Sequence, residues 1–212
     1  MDRSIVILAG GSAIRFNNSD KGLFELNGKR LLNHVIDAVK GLAEEIIIVT
    51  STQERADTYA KITSKKISFA LDATEAKGPL VGALTGFEAA QGDYTLLLPI
   101  DSPFVSKEVL ALLFDLSPGK AAVIPRHTNM EIEPLHAVYN TEQALRATKE
   151  TLAQNQFDMH SMIEQLRGVR YVSTLVIEQL DPELKTFVNL NTPLDLKKAL
   201  NTAKSKKGKK EN

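Results

Sequence analysis

The stretch Ser4-Ile5-Val6-Ile7-Leu8-Ala9-Gly10-Gly11, continuing through Ser12-Ala13-Ile14-Arg15 to Asp20-Lys21-Gly22, decides how the rest of the chain is read. Its apolar opening, Ser4 to Leu8, predicts a buried strand. Two glycines at the end of such a strand let the backbone turn sharply and bring its N–H groups close to an anion. Arg15 and Lys21 add positive charge at the same place. A strand, a glycine turn and two cations suit a polyphosphate. Read alone, the same residues are also a glycine turn beside surface cations.

Spacing removes two common phosphate loops. Walker A needs Gly-Lys followed by Ser or Thr, and here Gly28-Lys29 precedes Arg30. The dinucleotide fingerprint needs a third glycine in register after the first two, and none follows Gly10-Gly11. A kinase-like NTPase and an ordinary dehydrogenase both lose support.

Outward from this stretch, strand and helix signals alternate. Ile46 to Thr50 is a β-branched run and predicts a buried strand. Leu32, Val35, Ile36 and Val39 have helical spacing within Leu31 to Leu42, with Gly41 near the end as a stop. Strands are expected at 69–71, 94–99, 121–125, 135–139 and 169–172. Helices are expected at 80–90, 106–114 with Ser106 as N-cap, 141–152, and after Asn189-Leu190-Asn191-Thr192-Pro193, with Thr192 as N-cap and Pro193 at N1. This order implies an α/β fold: a three-layer, doubly wound, mostly parallel sheet with right-handed crossovers.

The 212 residues suffice for one large domain or two small ones, and 43% are hydrophobic, which suits a true core. With no repeat, linker or boundary visible, one domain over 1–203 is expected, followed by a lysine-rich tail over 204–212 expected to be disordered. The 26 basic and 26 acidic residues balance only because of that tail; the remainder carries 21 basic and 25 acidic residues, net −4. A body of that sign is a poor general nucleic-acid binder. There are no cysteines, which excludes disulfides, thiolate zinc sites and cysteine nucleophiles. No apolar run approaches the ~18 residues of a membrane span, and the first strand follows Met1-Asp2-Arg3 with no room for a signal peptide. The expectation is a cytoplasmic protein that binds neither membrane nor nucleic acid.

Ligands of open parallel sheets bind beyond the carboxyl ends of the strands. That rule selects Gly10 and Gly11 after the first strand, Asp72 after 69–71, and Asp101, within Pro99-Ile100-Asp101-Ser102-Pro103, after 94–98. A carboxylate opposite a phosphate loop repels the anion unless a divalent cation intervenes, and Mg²⁺ commonly sits between one or two carboxylates and phosphate oxygens. A capping or turn role for Asp101 and Asp72, and a capping role for Asn191, are the alternatives. His34, His127, His136 and His160 have no metal-ligand spacing and read as scattered structural or surface residues. No G-x-S-x-G is present.

In this order, Leu8-Ala9-Gly10-Gly11-x-x-x-Arg15, Asp20-Lys21-Gly22, Glu25-Leu26-Asn27-Gly28-Lys29, Gly78-Pro79-Leu80-x-Gly82, Pro99-Ile100-Asp101-Ser102-Pro103, Glu133-Pro134-Leu135-His136-Ala137-Val138-Tyr139 and Asn189-Leu190-Asn191-Thr192-Pro193 resemble the MobA-like nucleotidyltransferases of the molybdenum cofactor pathway, its guanylyltransferases above all. The resemblance runs to about Leu200. It implies a Rossmann-like nucleotidyltransferase fold and transfer of GMP from GTP to molybdopterin, giving molybdopterin guanine dinucleotide and pyrophosphate. It implies that Leu8, Ala9, Gly10 and Gly11 contact the nucleotide, Lys21 binds phosphates, Asp72 contacts the guanosine and Asp101 binds Mg²⁺ with Asn191 in support. Lys21, Asp101 and Arg15 then form the catalytic set. The partners implied are GTP, the molybdopterin cofactor, other proteins of the pathway and molybdoenzyme apoproteins. Leu-Ala-Gly-Gly favours guanine over the cytidylyl type, which usually reads Leu-Ala-Ala-Gly. Other acceptors, CTP as donor, or a catalytically silent nucleotide-binding module are the alternatives. Two positions depart from the pattern: Phe16-Asn17 replaces Met-Gly, and the stretch from Gln154 to His160 holds no arginine where the family tends to be arginine-rich.

Overall fold

The computed structural model describes residues 2–10, 20–64, 66–72, 78–192 and 195. Its elements, in chain order, are β1 (Arg3–Leu8), β2 (Glu25–Leu26), β3 (Lys29–Arg30), α1 (Leu31–Val39), β4 (Glu45–Thr50), α2 (Gln53–Ala60), β5 (Ile67–Leu71), α3 (Pro79–Ala89), β6 (Tyr94–Pro99), α4 (Lys107–Asp115), β7 (Ala122–Arg126), β8 (Ala137–Asn140), α5 (Thr141–Ala153), α6 (Met159–Glu164), β9 (Val169–Ser173) and α7 (Thr174–Ile177). Seven strands form one sheet in the order β5-β4-β1-β6-β8-β7-β9. All pairings are parallel except the two made by β8, which runs antiparallel between β6 and β7.

The central strands are apolar throughout because both faces of the sheet are covered. Ile5 and Ile7 of β1, with Leu96 and Leu98 of β6, pack under α1 and α4 through Val35, Val39, Val109 and Leu113. The intervening Val6 and Leu97 pack on the opposite side against Leu80, Ala83 and Phe87 of α3 and Ala144 and Ala147 of α5. This strict alternation makes the three layers.

The strands and helices expected up to residue 172 are present, with shifted ends, and the helix expected from Pro193 lies outside the described residues. The first helix ends at Val39, and Gly41 follows with φ +77°. Ser106 caps α4, its side chain accepting from the Val109 N–H at 3.3 Å. The strand expected from 135 starts at Ala137, because the His136 N–H turns back to the Glu133 carbonyl at 3.1 Å. Helices α2, α6 and α7, and the β2–β3 hairpin around Asn27 and Gly28 (φ +53° and +75°), are additional to the expectation. The lysine-rich tail lies outside the described residues.

Candidate active site

Because β5, β4, β1 and β6 are parallel neighbours, their carboxyl ends share one edge. Gly10 follows β1, Asp101 follows β6 on one side, and Asp72 follows β5 two strands away on the other. The three intervals between β5 and β6 span roughly 14 Å at ordinary strand spacing. Gly10 is exposed, and among the described residues a Cβ built on it meets only the Ser51 backbone nitrogen, at 4.0 Å. The missing side chain therefore leaves the backbone open to close approach. Ala9 continues the ladder, its N–H donating to the Val49 carbonyl at 2.8 Å.

Lys21 lies in a short 3-10 turn, Lys21–Leu23, capped by Asp20, whose carboxylate accepts from the Gly22 N–H at 3.0 Å. A Cβ on Gly22 would fall 2.5 Å from Ile100 Cδ1 and 2.6 Å from the Tyr59 hydroxyl. Only glycine lets this turn press against Ile100, the neighbour of Asp101. The result is a three-way contact: Lys21 Nζ donates to Asp101 Oδ2 at 2.8 Å and to Asn191 Oδ1 at 3.0 Å. The pair is sheltered, with side-chain exposures of 20% for Lys21 and 11% for Asp101. Asn191 is fixed by a reciprocal cap. Thr192 Oγ1 accepts from the Asp195 N–H at 3.1 Å, and Asp195 Oδ2 accepts from the N–H groups of Thr192 (2.9 Å) and Asn191 (3.1 Å). Thr192 is thus the N-cap expected from sequence, while Pro193 lies outside the described residues.

The structure therefore brings together Lys21, Asp101 and Asn191, places Leu8, Ala9 and Gly10 one strand away, and sets Asp72 at the far side of the same edge. Gly11, Arg15 and the Phe16-Asn17 departure lie outside the described residues. The arginine-free stretch after α5 abuts the start of α3: the Phe157 carbonyl is 2.9 Å from a Cβ built on Gly78, and Phe157 is 40% exposed.

Two groups of residues escaped the sequence reading. Arg55 of α2 bridges the loops of the site, its Nε 3.0 Å from Asp20 Oδ2 and its NH1 donating to the Ala9 carbonyl at 3.1 Å. The Tyr59 hydroxyl also donates to Asp20. Burial and that carboxylate both push the Tyr59 phenol up, so it stays protonated and remains a donor. Behind Asp101 lies a second network. Ser102 Oγ is 2.9 Å from His136 Nε2 and donates to Asn189 Oδ1 at 2.5 Å. Glu133 Oε2 lies 3.5 Å from His136 Nδ1, long for a hydrogen bond, and Glu133 Oε1 is 2.9 Å from His127 Nε2. Burial works to raise the Glu133 carboxyl, but the two imidazoles outweigh it and hold the group below the ordinary carboxylate value. The signal available for this group was the Glu133-Pro134-Leu135-His136 run and Asn189, two residues before Asn191.

Gly10, Lys21 and Asp101 thus gather at the carboxyl edge of a doubly wound sheet, and the comparisons with known proteins place the chain among the nucleotidyltransferases. The model of the MobA-like NTP transferase domain matches residues 5–169, and the chain belongs to that family. It is 31% identical over 210 residues to a protein of Methanosarcina mazei named "Probable molybdenum cofactor guanylyltransferase", covering 97% of this chain and 93% of that one. It is 29% identical over 194 residues to the molybdenum cofactor guanylyltransferase of Desulfosudis oleivorans, covering 92% of each. The crystal structure of molybdopterin-guanine dinucleotide biosynthesis protein A from Archaeoglobus fulgidus superposes with a TM-score of 0.80 at 26% identity, over 95% of this chain and 99% of that one. The family match ends before Asn189 and Asn191, whereas the full-length relatives align through them.

Proposed function

We propose that the protein transfers GMP from GTP to molybdopterin, forming molybdopterin guanine dinucleotide and releasing pyrophosphate, in the cytoplasm. The observation that carries this reading is the convergence of Asp101 Oδ2 and Asn191 Oδ1 on Lys21 Nζ, at 2.8 and 3.0 Å, one strand from Gly10. Its family membership and the names of its relatives support the choice of reaction.

Nucleotidyltransferases typically use a divalent metal, and the donor set fits one. Asp101 and Asn191 offer two hard oxygens that already converge on a single cation, the Lys21 ammonium, and Mg²⁺ takes its remaining ligands from phosphates and water. When bound there, Mg²⁺ supplies charge neutralisation at the α-phosphoryl group. The terminal phosphate of the acceptor is ionised at neutral pH and attacks the α-phosphorus in line, so no general base is needed. What remains is positioning and electrostatics. Ala9 and Gly10, with Gly11, present backbone to the nucleotide, and Asp72 accepts from the guanosine. Lys21 and Arg15 neutralise the departing pyrophosphate. Arg55, by bridging the Ala9 carbonyl and Asp20, holds the nucleotide turn and the Lys21 turn at a fixed separation.

The test is pyrophosphate release with GTP, CTP and ATP, each offered molybdopterin and Mg²⁺. GTP should lead by at least roughly tenfold in kcat/KM, a gap of about 1.4 kcal/mol. Equal use of CTP moves the protein to the cytidylyl type. Pyrophosphate only with another phosphorylated acceptor changes the acceptor and keeps the donor.

A further inference from the structure

Asp101 and Asn191 sit on segments far apart in sequence and must be held in register to serve one cation. Two hydrogen bonds cross directly between these segments. One is backbone, from the Leu190 N–H to the Asp101 carbonyl at 2.8 Å. The other is the Ser102 hydroxyl to Asn189 Oδ1 at 2.5 Å. The amide oxygen can only accept, so the single hydroxyl proton of Ser102 is committed to Asn189. With the amide oxygen turned to Ser102, the hydroxyl oxygen accepts from His136 Nε2 over 2.9 Å, which assigns hydrogen to that nitrogen. That donor fixes the Ser102 rotor. Ser102 and His136 are 0% and 1% exposed, so the bond between them is sheltered from water. Glu133 lies behind the His136 ring, and Phe187, which begins the approach to Asn189, packs edge-on with its centroid 5.5 Å away.

We propose that His136 is a positioning residue for the transfer: by fixing the Ser102 hydroxyl, it locks Asn189 and hence Asn191 in register with Asp101. A buried core histidine would contribute only packing. The brace instead makes the cation site depend on a side chain that no substrate touches. Partners that orient metal-binding groups from behind typically change metal affinity by roughly 10- to 100-fold when removed.

The proposal rests on the nucleotidyltransferase reading, and its test is built to fail separately. Mn²⁺ binding to the GTP-loaded protein is measured by water-proton relaxation, alongside GTP binding in EDTA and pyrophosphate release. His136→Leu should weaken Mn²⁺ by about tenfold or more and lower kcat in step, while GTP affinity in EDTA changes by less than about twofold. His136→Gln, which returns an N–H donor near the Nε2 position, should recover most of the loss. Ser102→Ala combined with His136→Leu should be no worse than Ser102→Ala alone, because both cut one chain of bonds. If His136→Leu does not fold, Asn189→Ala, at a half-buried position, carries the same expectation. Unchanged Mn²⁺ affinity in these variants, additive losses in the double variant, or His136→Gln as poor as His136→Leu would overturn the brace. A wild-type protein that binds Mn²⁺ and GTP but releases no pyrophosphate overturns the transfer reading, and the affinity comparison still decides the brace.

Discussion

The two polar networks on either side of the Asp101-Ser102 turn are built differently. In front, a long, partly exposed lysine bridges a carboxylate and an amide oxygen. Behind, the short side chains of buried Ser102 and His136 and half-buried Asn189 join over 2.5 to 2.9 Å. A long ammonium on a four-carbon stem exchanges partners readily, whereas a buried hydroxyl with committed donor and acceptor does not. The lesson is a division of labour. The front holds charge that substrate can rearrange, and the back holds geometry that must not move. Substitutions in front should therefore cost activity with little loss of fold, and substitutions behind should touch both.

The sharpest break is Asp101→Asn. It keeps size and still accepts from Lys21, but it removes the charge that attracts a divalent cation. Turnover should fall by about a thousandfold, the upper range for losing one preorganised electrostatic group. Thermal unfolding should be nearly unchanged, and added Mg²⁺ or Mn²⁺ should recover part of the rate by mass action. A nearly silent Asp101→Asn would reduce this residue to a turn former.

Lys21→Ala should cost roughly a hundredfold in turnover with Mg²⁺ binding retained. It also leaves the sheltered Asp101 carboxylate without its ammonium. The ligand-free protein should therefore melt lower, by about 2–4 °C for each kcal/mol lost in a chain of this size, and Mg²⁺ should restore part of the difference. Wild-type turnover and melting in this variant would make Lys21 a surface cation.

The smallest effect belongs to the back network. Glu133 is held below its ordinary value of 4.5 in the folded protein. A depressed carboxyl stabilises the fold above its unfolded value and loses that contribution as pH falls through the folded one. Glu133→Gln should therefore melt below wild type at neutral pH, and the gap should close as pH drops from about 4.5 downward. A gap independent of pH would show that the carboxylate charge contributes nothing.

Much of this architecture was legible in the chain. Strands β1, β4 and β6 are covered on both faces, so they must be apolar runs, and helices α1, α4 and α5 show their buried stripe directly. The rule that ligands bind beyond strand ends selected Gly10, Asp72 and Asp101, and the structure sets these three along one edge of the sheet. Helix α2 was invisible because it buries only Ala56 and Tyr59, too sparse a stripe for periodicity to register. Arg55 and Tyr59 went unnoticed with it. The hairpin strands β2 and β3 hold two residues each, below what alternation can reveal, although Asn27-Gly28 is the turn such hairpins favour. The reversed direction of β8 leaves no mark in composition. The back network was hidden for a different reason. Ser102 meets His136 and Asn189 across 34 and 87 residues, and although all three lie in runs the family resemblance picks out, nothing in their types or spacings pairs them. His136 accordingly read as a scattered histidine.

The central claim is that Lys21, Asp101 and Asn191 serve one guanylyl transfer. The most direct test is a single reaction of purified protein with GTP, molybdopterin and Mg²⁺, followed for both pyrophosphate and the pterin product. The account predicts equal amounts of pyrophosphate and molybdopterin guanine dinucleotide, abolished by leaving out either substrate or the metal. Pyrophosphate without the dinucleotide, or neither product under conditions where GTP binds, would contradict it.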